Sequence, residues 1–196
     1  MRVRSSLRTS TRRAFLSVVA MFLAAGFGAA QSSSHTNTNA AKVTADLQSR
    51  AKRYLEFRKR VAGSSPKLNA TPAKITSAQH ELADKVRVAR AGAKRGEIFT
   101  PEIAQYVRRQ IASRLGRQDG DHIRASLRHA EPVNISLQIN QSYPESVPLQ
   151  STPPSLLLSL PELPAGLEYR LVGRELVLRD VDANIVVDYV TNALPS

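Results

Sequence analysis

The sequence predicts an α+β protein: three to four amphipathic helices, a Pro-rich extended bridge and a C-terminal three-stranded antiparallel β-meander. Three observations carry the prediction. Apolar residues recur at helical spacing between residues 41 and 129, with stop and start signals between the runs. Seven of the eleven prolines fall in residues 131–166. From Leu167 to Val190, short runs rich in Val, Ile, Leu and Tyr are separated by turn formers.

The first 30 residues have the layout of a bacterial export signal. Arg2, Arg4, Arg8, Arg12 and Arg13 form a basic start, and Ala14 to Ala30 then runs without a charge. Small residues Gly28-Ala29-Ala30 precede an expected cleavage point between Ala30 and Gln31. Thr11-Arg12-Arg13-Ala14-Phe15-Leu16 resembles the twin-arginine translocation consensus, in which Arg12, Arg13, Phe15 and Leu16 would be read by the export machinery. An ordinary secretory signal with a chance arginine pair stays open. So does an uncleaved anchor, although Gly26 and Gly28 weaken a membrane-spanning helix there. No later segment is apolar and long enough to span a bilayer, so no transmembrane span is expected in the mature chain.

The first helix is expected over 41–62. Val43, Leu47, Ala51, Tyr54, Phe57 and Val61 share one face, Arg53, Lys59 and Arg60 lie opposite, and Gly63-Ser64-Ser65-Pro66 stops the run. Residues 31–74 read as a polar linker and a loosely attached helical arm, leaving a small α+β domain over 75–195. A second helix is expected from Ser77 to Arg95, with a stripe of Ala78, Leu82, Ala83, Val86, Ala89 and Ala93, ending at Gly96. The third has the clearest start: Thr100 can cap it, Pro101 suits the first helical position, and Glu102 complements the dipole. Its apolar face is Ile103, Val107, Ile111 and Leu115. A short fourth helix is expected over Gly120–His129, with Ile123 and Leu127 one turn apart.

Val133 to Ile139 alternates like a half-buried strand, and Tyr143 to Pro154 reads as extended and turn-rich. Leu156-Leu157-Leu158-Ser159-Leu160 is an apolar run that suits a short strand or a strap over a core. The meander follows: Glu168–Val172, a Gly173-Arg174 turn of type II′, Glu175–Arg179, a turn at Asp182-Ala183-Asn184, and Ile185–Val190. Tyr169, Leu171, Leu176 and Leu178 are expected on one face, which needs a cover. This stretch, Tyr169-Arg170-Leu171-Val172-Gly173 through Ile185-Val186-Val187-Asp188, resembles the C-terminal hairpin of the periplasmic nickel/cobalt homeostasis family. The longer run from Ile98 to Pro195 is similar in style to uncharacterised exported bacterial proteins. The hairpin resemblance spans about 20 residues, all turn formers or strand apolars, and transfers no ligand or catalytic pattern.

The chain has 196 residues, no cysteine and no tryptophan, which excludes disulfides, thiolate metal sites and cysteine nucleophiles. Its net charge of +12 is unevenly placed. Residues 31–130 hold 20 Lys/Arg against 8 Asp/Glu, and residues 131–196 hold 3 against 8. Basic residues on the helices' polar faces suit an anionic envelope component or a protein partner; a solvated face partly docked on the acidic half explains them as well. Nucleic acid is disfavoured by export and by the lack of any recognition motif. For metal, His80 and Asp84 stand one turn apart, and His122 and His129 two turns apart, but two ligands do not make a site. No Gly-x-Ser-x-Gly elbow, phosphate loop or dinucleotide fingerprint is present, and no cofactor is expected. The expectation is an exported, non-enzymatic binding or interaction module. A metal-homeostasis or metal-responsive protein, or a hydrolase with an unrecognised site, are the alternatives.

Overall fold

A computed structural model describes residues 28–63, 71–118, 120–128, 136–143 and 153–195. The chain divides into two units, residues 1–38 and 39–196. Of the first unit, the described residues 28–38 are helical; Arg12, Arg13, Phe15 and Leu16 lie outside the described residues. The second unit is α+β, with helices preceding a three-stranded antiparallel sheet.

Its elements are α1 (Gly28–Ala62, whose residues from Asn39 belong to this unit), α2 (Pro72–Ala89), α3 (Pro101–Leu115), α4 (Gly120–Arg128), the single turn α5 (Pro154–Leu157), and strands β1 (Leu167–Val172), β2 (Glu175–Asp180) and β3 (Ile185–Val190). Sheet order is β1-β2-β3. Val172 pairs with Glu175 across Gly173-Arg174, and Gly173 takes φ +58°, as the first position of a type II′ turn requires. The second turn occupies four residues, Val181 to Asn184, and Asn184 supplies the left-handed conformation at φ 48°.

The sheet register explains which side chains are covered. Leu167, Tyr169 and Leu171 pair with Asp180, Leu178 and Leu176, so all six share a face. On β3, Asp188 and Val190 pair with Leu178 and Leu176 on that same face. A bulge between Leu178 and Arg179 adds one residue, and Val187 joins Asp188 beside the core. The helices supply the cover. Leu47, Ala51 and Tyr54 of α1, Ile103, Val107 and Ile111 of α3, and Leu156 of α5 meet Leu171, Leu176 and Leu178 in one cluster. The opposite face carries a smaller cluster of Val172, Val177 and Val186 under Tyr143. A third gathers Ala83 and Val86 of α2 with Ala183 and Ile185.

Four sequence expectations change. The helix of residues 43–61 is not a detached arm. Its apolar stripe is wide enough to close the open sheet face, so the compact unit begins at Asn39 rather than near residue 75. The second helix starts at Pro72, the first helical position after Thr71, and ends at Ala89 instead of Arg95. Beyond it, Gly96 at φ 93° turns the chain so that its N–H reaches a buried carboxylate. The strand expected over Val133–Ile139 is absent from its described part, residues 136–139. Gln141 N–H closes a turn onto the Gln138 carbonyl, and Asn140 at φ 64° breaks the extension. The chain then binds the β3 edge through Asn140 N–H to the Val186 carbonyl and Val186 N–H to the Gln141 carbonyl, each 2.8 Å. The leucine run forms a helical turn, with Leu156 and Leu160 buried and Leu158 87 % exposed.

Candidate functional site

Two carboxylates sit on the inner sheet face at 0 % exposure, and neither stood out among the sequence candidates. Asp180 ends β2. Its oxygens accept from the Tyr54 hydroxyl at 2.7 Å, the Arg58 guanidinium at 2.7 Å, and the Asp182 and Ala183 N–H groups at 3.0 and 3.1 Å. Arg58 also reaches Asp182 at 2.7 Å. Burial disfavours the Arg58 charge, but Asp180 and Asp182 outweigh it and raise its pKa. Burial, then Asp180, drives the Tyr54 phenol well above its ordinary 10.0.

Asp188 is held without a cation hydrogen-bonded to it among the described residues. The N–H groups of Gly96, Ile98 and Phe99 donate to it at 3.0, 2.8 and 2.9 Å, with Tyr189 N–H at 2.8 Å. The α2–α3 connection thus forms a backbone cradle already filled by the protein's own anion. Beside it Arg90 donates to Asn140 Oδ1 at 2.9 Å and to Glu97 at 3.0 Å, and lies over the Tyr54 ring at 5.1 Å. Asp180 and Asp188 are closed to solvent and engaged by several donors each, so their role is structural: they pin helices to strands. An acid at the end of an apolar alternation, as in Leu176, Leu178, Asp180, is the signal that could have exposed the first of them.

The basic residues divide into two sets. One set clamps the fold. Arg108 donates to the Thr191 carbonyl at 3.1 and 2.8 Å, Arg114 to Ser155 at 3.1 Å, and Arg174 to Leu194 at 3.3 and 3.0 Å. Arg170 and Arg179 flank Glu168. Burial acts against that carboxylate, but the two guanidinium hydrogen bonds prevail and lower its pKa. The second set faces solvent. Lys52, Arg53, Lys59 and Arg60 lie along the outer face of α1 with Glu56 as the acid among them. Lys42, Lys74, Lys94, Arg109 and Arg117 are likewise exposed, and none of these nine makes an ion pair among the described residues. The exposed acids without an ion pair there are Glu56, Glu102 and Glu162.

Next to the α1 face, an open cleft of about 890 Å³ separates the C-terminal end of α1 from α2. Leu55, Ile75, Ala78 and Leu82 give it an apolar floor. Its rim charges are largely spent on each other, Arg58 on Asp182 and Lys85 on Glu81 at 2.6 Å.

The metal candidates that are described, His80, Asp84 and His122, form no metal-binding group. His80 and Asp84 are exposed on α2, Asp84 is paired with Arg87, and His122 is exposed on α4. His129 lies outside the described residues. Among the described residues no group of three His, Asp or Glu side chains could hold a metal ion. No helix among them is long and apolar enough to cross a membrane. Comparison with known protein families, curated proteins and solved structures finds no match.

Proposed function

We propose that this is an exported, non-enzymatic binding module of the periplasm or cell envelope, which holds an anionic envelope component on its basic helical surface. The observation that carries this reading is the imbalance of unpaired charge. Among the described residues, the solvent-facing cations without an ion pair outnumber the solvent-facing acids without one, and they concentrate on the outer face of α1. A cation row of this kind raises the local concentration of polyanions and fixes none of the geometry that catalysis needs. The basic, uncharged-core leader and its Arg12-Arg13 pair support the compartment.

The test is binding of the chain from Gln31 onward to heparin and to anionic vesicles, beside a Lys52→Glu/Arg53→Glu/Lys59→Glu/Arg60→Glu variant. Each cation near an anionic surface contributes about 1 kcal/mol, so losing all four should cost about a thousandfold in affinity. Its melting temperature should hardly move, because the four side chains are exposed. Equal binding by both chains would remove the reading. Export has its own test. Replacing Arg12 and Arg13 by Lys should strand the precursor in the cytoplasm if the pair itself is recognised. Normal export of the Lys pair would assign the leader to the general secretory route.

A further inference from the structure

A second groove, on the far end of α3, combines features that a soluble anion would not need together. It lies between the C-terminal half of α3 and α5 and encloses about 430 Å³. Its lining is Gln110, Ser113, Arg114, Arg117, Ser155, Leu158 and Ser159, with no carboxylate among them. Arg114 is engaged with the Ser155 carbonyl at 3.1 Å and fixes α5 against α3. Arg117 and Ser113 are exposed, and Gln110 adds an amide at the wall. Leu158 also lines the groove, and 87 % of it is in water.

We propose that this groove is a membrane-docking site that takes the phosphate of an anionic phospholipid against Arg117, Ser113 and Gln110 while Leu158 enters the acyl boundary beside it. The proposal rests on the reading of the protein as a binder of anionic envelope components, and it goes beyond that reading by naming the component and a second surface. Charge complementarity selects an anion, since the described lining offers the Arg117 guanidinium, hydroxyls and an amide and includes no carboxylate. The aliphatic side chain selects its source. A free phosphate has nothing to give Leu158, whereas a bilayer surface presents headgroup phosphate and hydrocarbon within one side-chain length of each other. The fold makes insertion cheap. Pro153 and Pro154 stiffen the entry to α5, Leu156 is fully buried beneath it, and so Leu158 is presented from an anchored turn.

The experiment is vesicle flotation of the chain from Gln31 onward, with phosphatidylglycerol-containing and pure phosphatidylcholine vesicles. It is run for the parent, Leu158→Asn and Arg117→Glu, with heparin binding measured in parallel. The parent should float with the anionic vesicles and not with the zwitterionic ones. Leu158→Asn should lose about tenfold in vesicle affinity, the worth of one leucine leaving water, and keep its heparin affinity. Arg117→Glu should weaken vesicle binding at least as much. Both positions are exposed, so unchanged melting curves establish that the fold is intact. Three outcomes overturn the proposal: Leu158→Asn floating like the parent, full competition by millimolar glycerol phosphate, or no flotation of the parent. If heparin binding persists and still depends on the α1 cations in any of these cases, the broader anion-binding reading stands while the groove assignment falls.

Discussion

At the residue scale, the fold is held by two carboxylates whose oxygens are satisfied in different ways. Asp188 receives N–H groups from Gly96, Ile98, Phe99 and Tyr189, so an amide in its place would turn donors against donors. We expect Asp188→Asn to cost on the order of 3 kcal/mol, measured by urea unfolding. A loss below about 0.5 kcal/mol, the ordinary range for a surface change, would show that the cradle does not need the charge. Tyr143 is the converse case. Its hydroxyl is buried over the outer sheet face without a hydrogen-bond partner among the described residues, so Tyr143→Phe should leave stability unchanged or raise it slightly. Two other phenols set the alkaline limit. Burial, aided by Asp180, raises Tyr54, and burial, then Tyr106, raises Tyr169, both above the ordinary 10.0. The unfolded chain releases these protons first. The stability these two phenols contribute is therefore fully present below pH 10 and lost above it, by about 1.4 kcal/mol per pH unit for each phenol. A Tyr54→Phe/Tyr169→Phe chain should show a flatter fall of melting temperature above pH 10 than the parent. An equally steep fall would assign the loss to other groups.

At the scale of elements, what the sequence disclosed follows from how local the signal is. The α3 start was legible because Thr100, Pro101 and Glu102 are neighbours, and the Thr100 hydroxyl does accept from Ile103 N–H at 3.4 Å. The first meander turn was legible because glycine adopts the positive φ of its first position without steric cost, as Gly173 does. The shared face of Tyr169, Leu171, Leu176 and Leu178 followed from alternation. The attachment of α1 was not legible, because its partners Asp180 and Leu176 lie more than a hundred residues away. The buried carboxylates escaped for the same reason: nothing within a few residues of Asp188 announces the Gly96–Phe99 cradle. The leucine run was ambiguous by period, and its helical turn divides it sharply. Leu156→Ala should therefore cost about 2–5 kcal/mol, as buried leucines do, whereas Leu158→Ala should fall within about 0.5 kcal/mol of the parent. Equal losses at the two positions would mean that Leu158 is covered in solution.

At the scale of the whole molecule, the two sets of cations make opposite demands on salt. The clamps are short and part-buried: Arg58 to Asp180 at 2.7 Å, Arg90 to Asn140 at 2.9 Å, Arg108 to the Thr191 carbonyl at 2.8 Å. Mobile ions reach such contacts poorly, and two of the three acceptors carry no net charge. The outer set is the reverse, since its members are exposed and unpaired, and they repel one another in a unit whose basic residues exceed its acids. Screening removes that repulsion while it weakens attraction to any polyanion, over a Debye length that contracts from about 14 Å at 50 mM salt to about 4 Å at 500 mM. Raising salt across that range should therefore leave the melting temperature unchanged or raise it by a few degrees, while heparin and vesicle binding collapse. The two measurements share one protein and one titration, which makes their divergence the informative result. If the melting temperature instead fell in step with binding, the exposed cations would be holding the fold together through pairs formed in solution. The basic surface would then be structural, and the α1 face would no longer be free to meet a partner.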